Sequence, residues 1–128
     1  EDLCADFADI AFVASRTGMP VALDELLAQG KSWEPIPQLK ALVLKPTLLG
    51  ALANSEALVA RARELKLKVI VSSCFESGIG LGQLARLAGE WAPDQAPGLD
   101  TRRWLARDLL DKQGQPDPSL MTPLFHRD

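Results

Sequence analysis

Charged residues follow directly on two apolar runs of the sequence. Val21-Ala22-Leu23 leads into Asp24-Glu25, and Ala41-Leu42-Val43-Leu44 leads into Lys45, with Pro46 closing the run. A lysine straight after four apolar residues is costly unless it has a partner or a task. A carboxylate at the end of the neighbouring strand is such a partner. At the rim of a sheet the two form either a structural ion pair or part of a reacting site, and position alone leaves both open. Another acidic pair, Glu1-Asp2, precedes a helical stretch and so reads as the end of an earlier strand. Glu1 and Asp24 would then project from adjacent strands toward one point. Hard oxygen ligands of this kind suit Mg²⁺, with a third ligand expected from an earlier strand. The competing reading is that these carboxylates only complement the positive ends of helices.

The glycine-rich turn Ser72-Ser73-Cys74-Phe75-Glu76-Ser77-Gly78-Ile79-Gly80-Leu81-Gly82 joins an apolar run to a helical stretch. No Gly-Lys-Ser/Thr follows, so it is not a P-loop. It is too long for a dinucleotide fingerprint, and no acidic residue ends a following strand at the right distance. Two readings stay open. The turn offers backbone N–H groups to a substrate carboxylate at a helix start, or it is small because helix and strand pack closely there. Glu76 reads as a stabiliser of that helix start. His126 is the only histidine and sits in a Pro-rich tail, so it reads as a solvated tail residue rather than a catalytic base. Cys4 and Cys74 lack metal-ligand spacing and read as reduced thiols. Trp33, Trp91 and Trp104 read as packing residues.

The elements that must position these groups follow from periodicity. Val21–Leu23, Ala41–Leu44 and Val69–Val71 do not alternate polar with apolar, which is the pattern of parallel strands covered on both faces. Residues 6–17 place Phe7, Ile10, Ala11 and Ala14 on one helical face, with Gly18 as the stop. Asn54 can cap a helix with Leu58, Val59, Ala62 and Leu65 inward. Residues 79–91 carry Leu81, Leu84, Ala85 and Ala88 at helical spacing, and a last short helix is expected over 101–112. Between Leu26 and Gln38, Trp33, Pro35 and Pro37 argue for a loop with at most a short helix. The order predicts an α/β fold with a parallel sheet, either open or part of a barrel. In both, ligands bind at the carboxyl ends of the strands, where Asp24, Lys45 and Ser72 lie.

The 128 residues are 47% hydrophobic and 24% charged, which excludes a disordered segment. A net charge of −3 offers no basic surface for nucleic acid or an anionic membrane. No apolar run approaches the roughly 20 residues a membrane helix needs, and no signal-peptide pattern opens the chain. A cytoplasmic protein is expected. The first residue is not Met, so the sequence reads as a piece of a longer chain that is too short for a whole eight-stranded barrel.

Several segments together resemble one family. Ala41 to Gly50 is similar to the Lys-Pro-Thr-Leu-x-Gly segment of the o-succinylbenzoate synthases of the enolase superfamily. Val71 to Leu87 resembles their Ser-Ser-x-x-Glu-Ser-x-x-Gly-Leu-x-Gln-Leu-Ala-Arg block. Pro97 to Thr101 resembles their Pro-Gly-Leu-Asp-Thr turn, Val21 to Leu26 their Asp-Glu-Ser strand end, and Glu1 to Cys4 a Glu-Glu-Pro-Cys segment in which Asp2 and Leu3 depart. The resemblance covers about residues 1–105. It implies the C-terminal half of a TIM-type (β/α) barrel over 1–112; residues 113–128 read as a Pro-rich tail. It implies Mg²⁺ ligands at Glu1 and Asp24, a catalytic lysine at Lys45, and substrate contacts at Ser72, Ser73, Gly98 and Leu99. The implied reaction is the syn dehydration of a cyclohexadiene carboxylate to o-succinylbenzoate in menaquinone biosynthesis. Lys45 would act as a cation beside the ring, with its pKa lowered by the metal. The base lysine, the first metal ligand and the capping domain would lie upstream. N-acylamino acid racemase or dipeptide epimerase activity is the alternative within the superfamily. A non-catalytic piece that self-associates through open strand edges is the alternative outside it.

Overall fold

The computed structural model describes residues 1–120. His126 lies outside the described residues. The chain builds α1 (Phe7–Thr17), β1 (Val21–Leu23), α2 (Glu25–Ala28), β2 (Leu39–Leu44), α3 (Pro46–Leu49), α4 (Leu52–Glu64), β3 (Lys68–Val71) and α5 (Gly78–Trp91). Short 3₁₀ turns follow at Arg102–Trp104 and Pro118–Leu120.

The three strands form one parallel sheet in the order β1-β2-β3. Its central strand is the longest apolar run. Leu39, Ala41, Leu42, Val43 and Leu44 are all buried, because helices cover both faces and neighbours cover both edges. Leu42 pairs with Val69 and Leu44 with Val71 on one side, and Leu23 pairs with Leu42 on the other. One core runs from Ile10 and Ala14 of α1 through the strands to Val59 and Ala62 of α4 and Leu81, Leu84, Ala88 and Trp91 of α5. The carboxyl ends of all three strands therefore open on one rim. This architecture is the parallel α/β arrangement that the apolar runs predict.

Helix α1 ends as expected. Gly18 adopts φ 70°, and its N–H donates to Ala14 O. Elsewhere the packing overrides the local reading. Asn54 does not cap α4; it lies inside the helix and donates from Nδ2 to Leu49 O. Leu65 falls just past the end of α4 and is half-buried, while Ser55 takes a fully buried place on the inner face. Ala85 of α5 is exposed, because the buried stripe runs through Leu81, Leu84, Ala88 and Trp91.

The helix expected over 101–112 does not form. Asp108 instead turns back to accept from Gly78 N at the start of α5, and Leu110 bridges to Pro116. A β-carbon placed on Gly78 would come within 2.4 Å of Leu110 Cδ1 and 2.7 Å of Asp108 Oδ2, so a larger residue there would force those side chains to shift. Trp104 is 69% exposed and stacks only under Arg103, 5.2 Å from the ring centre, rather than in a core. Trp91 is buried, and Trp33 packs on the core edge. Cys4 and Cys74 are both free.

Candidate functional site

Parallel pairing of β1 with β2 brings their next residues side by side. Lys45 Nζ donates to Asp24 Oδ2 at 2.6 Å and to Glu25 Oε1 at 2.5 Å. The Asp24 side chain is 7% exposed and that of Lys45 14%, whereas Glu25 is 58% exposed. The lysine is thus clamped between a buried carboxylate and a solvated one. Burial pushes the Asp24 carboxyl above its ordinary value; the Lys45 hydrogen bond and charge pull it back, and Glu25 and Glu1 add repulsion. Burial draws the Lys45 ammonium down, but the two carboxylates outweigh it and its pKa rises. The expected lowering rested on a neighbouring cation, and the carboxylates act in the opposite direction. Glu25 is held below its ordinary value, first by the Lys45 hydrogen bond.

Asp24 spends only one oxygen on this clamp. Its Oδ1 is buried without a hydrogen-bond partner among the described residues. An orphaned buried carboxylate oxygen is expensive unless a cation or donor meets it. Glu1 is exposed, and its charge reaches Asp24. Among the described residues, no three His, Cys, Asp or Glu side chains gather as a metal cage.

Asp2, which follows Glu1, does something the sequence reading did not foresee. Its Oδ1 accepts from Asp24 N at 3.1 Å and its Oδ2 from Leu26 N at 2.8 Å. Glu25 was likewise missed as a partner of Lys45. Its only signal was the doubled Asp24-Glu25 acid at a strand end.

The end of β3 is built differently. Residues around Gly98 run beside it: Gly98 N donates to Val71 O, and Ser73 N to Gly98 O, both at 2.9 Å. Ser72 N donates to Leu44 O. The Ser73 hydroxyl turns inward to Gly98 O and Thr101 Oγ1, each 3.0 Å away. The structure therefore brings Ser72, Ser73 and Gly98 together, with Leu99 packed on the core, but it spends the first three amide N–H groups on backbone. The Ser72 hydroxyl keeps only long contacts, of 3.4 and 3.5 Å.

Glu76 ties this loop to α3, accepting from Cys74 N and from the Thr47 hydroxyl, two residues beyond Lys45. Gly78 N is already capped by Asp108, so the start of α5 offers that N–H to a protein carboxylate. An open groove of about 660 Å³ is lined by Asp6, Phe7, Asp9 and Lys31.

No protein-family model matches the chain. Curated relatives do. An o-succinylbenzoate synthase of Pasteurella multocida is 37% identical over 134 residues, covering all of this chain and 38% of the relative. One from Yersinia pseudotuberculosis is 41% identical over 98% of this chain and 38% of the relative. One from Vibrio cholerae is 38% identical over 79% of this chain and 32% of the relative. The chain thus spans about two fifths or less of the length of these relatives. A solved structure described as a mandelate racemase/muconate lactonizing protein from Herpetosiphon aurantiacus superposes with a TM-score of 0.63 at 21% identity. It covers 81% of this chain and 30% of that one, which shows a shared fold.

Proposed function

We infer that this chain, homologous to a C-terminal part of the o-succinylbenzoate synthases, supplies Lys45 and Asp24 to the reaction centre of such an enzyme. The proposed reaction is dehydration of a cyclohexadiene carboxylate to o-succinylbenzoate, in which a ring proton next to the carboxylate and a neighbouring hydroxyl leave as water. The observation that carries the reading is the Asp24–Lys45–Glu25 clamp, with Asp24 buried and Glu25 solvated, at the carboxyl ends of two adjacent parallel strands.

Proton loss next to a carboxylate builds negative charge, and a cation fixed beforehand stabilises it without reorganising. The clamp holds the Lys45 ammonium in its charged form, ready for that role, and burial keeps water from screening it. Asp24 also fits a second cation. Its Oδ2 serves Lys45 while Oδ1 is an unused buried acceptor. Mg²⁺, held by Asp24, by Glu1 and by a ligand outside these residues, would supply Lewis-acid stabilisation of the substrate carboxylate when bound. Ser72 is the group at the β3 end with a hydroxyl left to offer a substrate; Ser73 and Gly98 shape the wall behind it. The partner proton base is proposed to lie outside this chain, so the 128-residue polypeptide alone is expected to turn over no substrate.

The test is dehydration by a longer protein that carries these residues. Lys45→Ala and Asp24→Asn are each expected to lower kcat/KM by about 10²–10⁴-fold; rates within about twofold of the parent would overturn the assignment. Lys45→Arg separates the two superfamily chemistries. A dehydration keeps part of its rate with a fixed cation, whereas a racemisation needs the lysine to exchange protons and is abolished.

A further inference from the structure

We propose that Asp2 is a positioning residue, which acts through the backbone to aim Asp24 at Lys45. Three hydrogen bonds join it to alternate residues along one stretch. Asp2 N donates to Ala22 O at 3.2 Å, Oδ1 accepts from Asp24 N at 3.1 Å, and Oδ2 accepts from Leu26 N at 2.8 Å. The side chain thereby continues past the end of β1 the pairing that a neighbouring strand would make.

That stretch needs such a partner. Sheet pairing of β1 stops at Leu23, and α2 is only four residues long. The N–H groups at its start have no intrahelical acceptor. Asp24 itself has φ −129° and ψ −100°, outside both the strand and the helix basins. A residue in such a conformation keeps it only where its surroundings impose it. The Asp2 carboxylate holds the N–H groups on both sides of Glu25. Asp2 stands at φ 30°, a left-handed geometry that Asp tolerates better than most residues. With the backbone fixed on both sides, the buried Asp24 side chain presents Oδ2 to Lys45 and leaves Oδ1 free.

This inference rests on the Asp24–Lys45 pair being the reaction centre, but its test does not use turnover. In the 128-residue chain, the energetic coupling between Asp24→Asn and Lys45→Met is read from urea unfolding in the parent, Asp2→Asn and Asp2→Gly backgrounds. Glycine removes the carboxylate while accepting the left-handed backbone; asparagine keeps the shape and one acceptor. Amide hydrogen exchange is followed in parallel.

In Asp2→Gly, exchange at the Asp24 and Leu26 amides should quicken by at least about tenfold relative to the Leu42 and Val43 amides of β2. The coupling between positions 24 and 45 should fall by about tenfold in equilibrium constant, with Asp2→Asn in between. Coupling that persists unchanged while stability drops would reduce Asp2 to a simple cap of α2 and overturn the proposal. If Asp2→Gly does not fold, Asp2→Asn carries the same comparison. Loss of coupling in a longer protein with no dehydratase activity would instead count against the proposed reaction and leave this inference standing.

Discussion

One sheet rim carries two unlike regions. At the ends of β1 and β2, formal charges gather: Lys45 between Asp24 and Glu25, with Asp2 behind them. At the end of β3, Ser72, Ser73, Gly98 and Thr101 meet through hydroxyls and backbone, and the nearby charges of Glu76 and Asp108 are used to fasten loops. Among the described residues the first region leaves a buried acceptor, Asp24 Oδ1, without a partner, whereas in the second the buried Asp108 Oδ2 meets the Arg102 guanidinium at 2.6 Å. The second spends most of its polar atoms on itself. The difference separates polar groups kept for something else from polar groups that hold the fold together.

That contrast predicts unequal costs of substitution. The largest change in stability should come from Lys45→Met, which leaves the Asp24 carboxylate buried with no cation. A loss of about 3 kcal/mol is expected from chemical denaturation at neutral pH. Asp24→Asn should cost clearly less, about 1 kcal/mol, because Lys45 keeps the solvated Glu25. Equal costs would mean that the pair is held no more tightly on one side than the other.

At the β3 end, Ser73→Ala removes an inward hydroxyl at a position 5% exposed. It should destabilise by about 1 kcal/mol, read as a lower urea midpoint. It should alter turnover of the longer enzyme far less than Lys45→Ala does.

The smallest effect is one of pH. The Asp108 carboxyl is held below its ordinary value by the Gly78 N–H, then by the Leu109 N–H and the Arg102 charge, against a cost of burial. Its folded value is depressed, so the stability it contributes is complete above the unfolded carboxylate range and is lost as pH falls through the folded value. Asp108→Asn should therefore flatten the acid limb of a melting-temperature profile. An unchanged limb would show that the contact to α5 does not depend on that charge.

Much of this was legible in the sequence. Three two-sided apolar runs announced a parallel sheet, and charges stranded directly after two of them announced the rim. Both signals are local and survive without knowledge of the rest of the fold. The expected Glu1-Asp2 strand end survives as one backbone bond from Asp2 N to Ala22 O, which, with the Gly98 stretch beside β3, partly covers the strand edges expected to be open. Self-association through those edges remains a proposal that sedimentation of the chain tests.

What the sequence hid was side chains reaching across the fold. Asp2 is bound to residues 22 and 24 positions away, and Asp108 to one 30 positions away. No periodicity reports such distances. The helix expected over 101–112 failed for the same reason. Its residues had a better use in capping α5 and packing against Gly78 than in a helix of their own.

The proposed site stands on residues 24 and 45 meeting at the mouth of adjacent parallel strands. The separation of Lys45 Nζ from the nearer Asp24 carboxylate oxygen in a crystal of the chain tests it most directly. Hydrogen-bond contact, about 2.6–3.2 Å, is the expected result; a gap beyond about 6 Å, or either side chain on the outer wall of the sheet, would contradict the shared site.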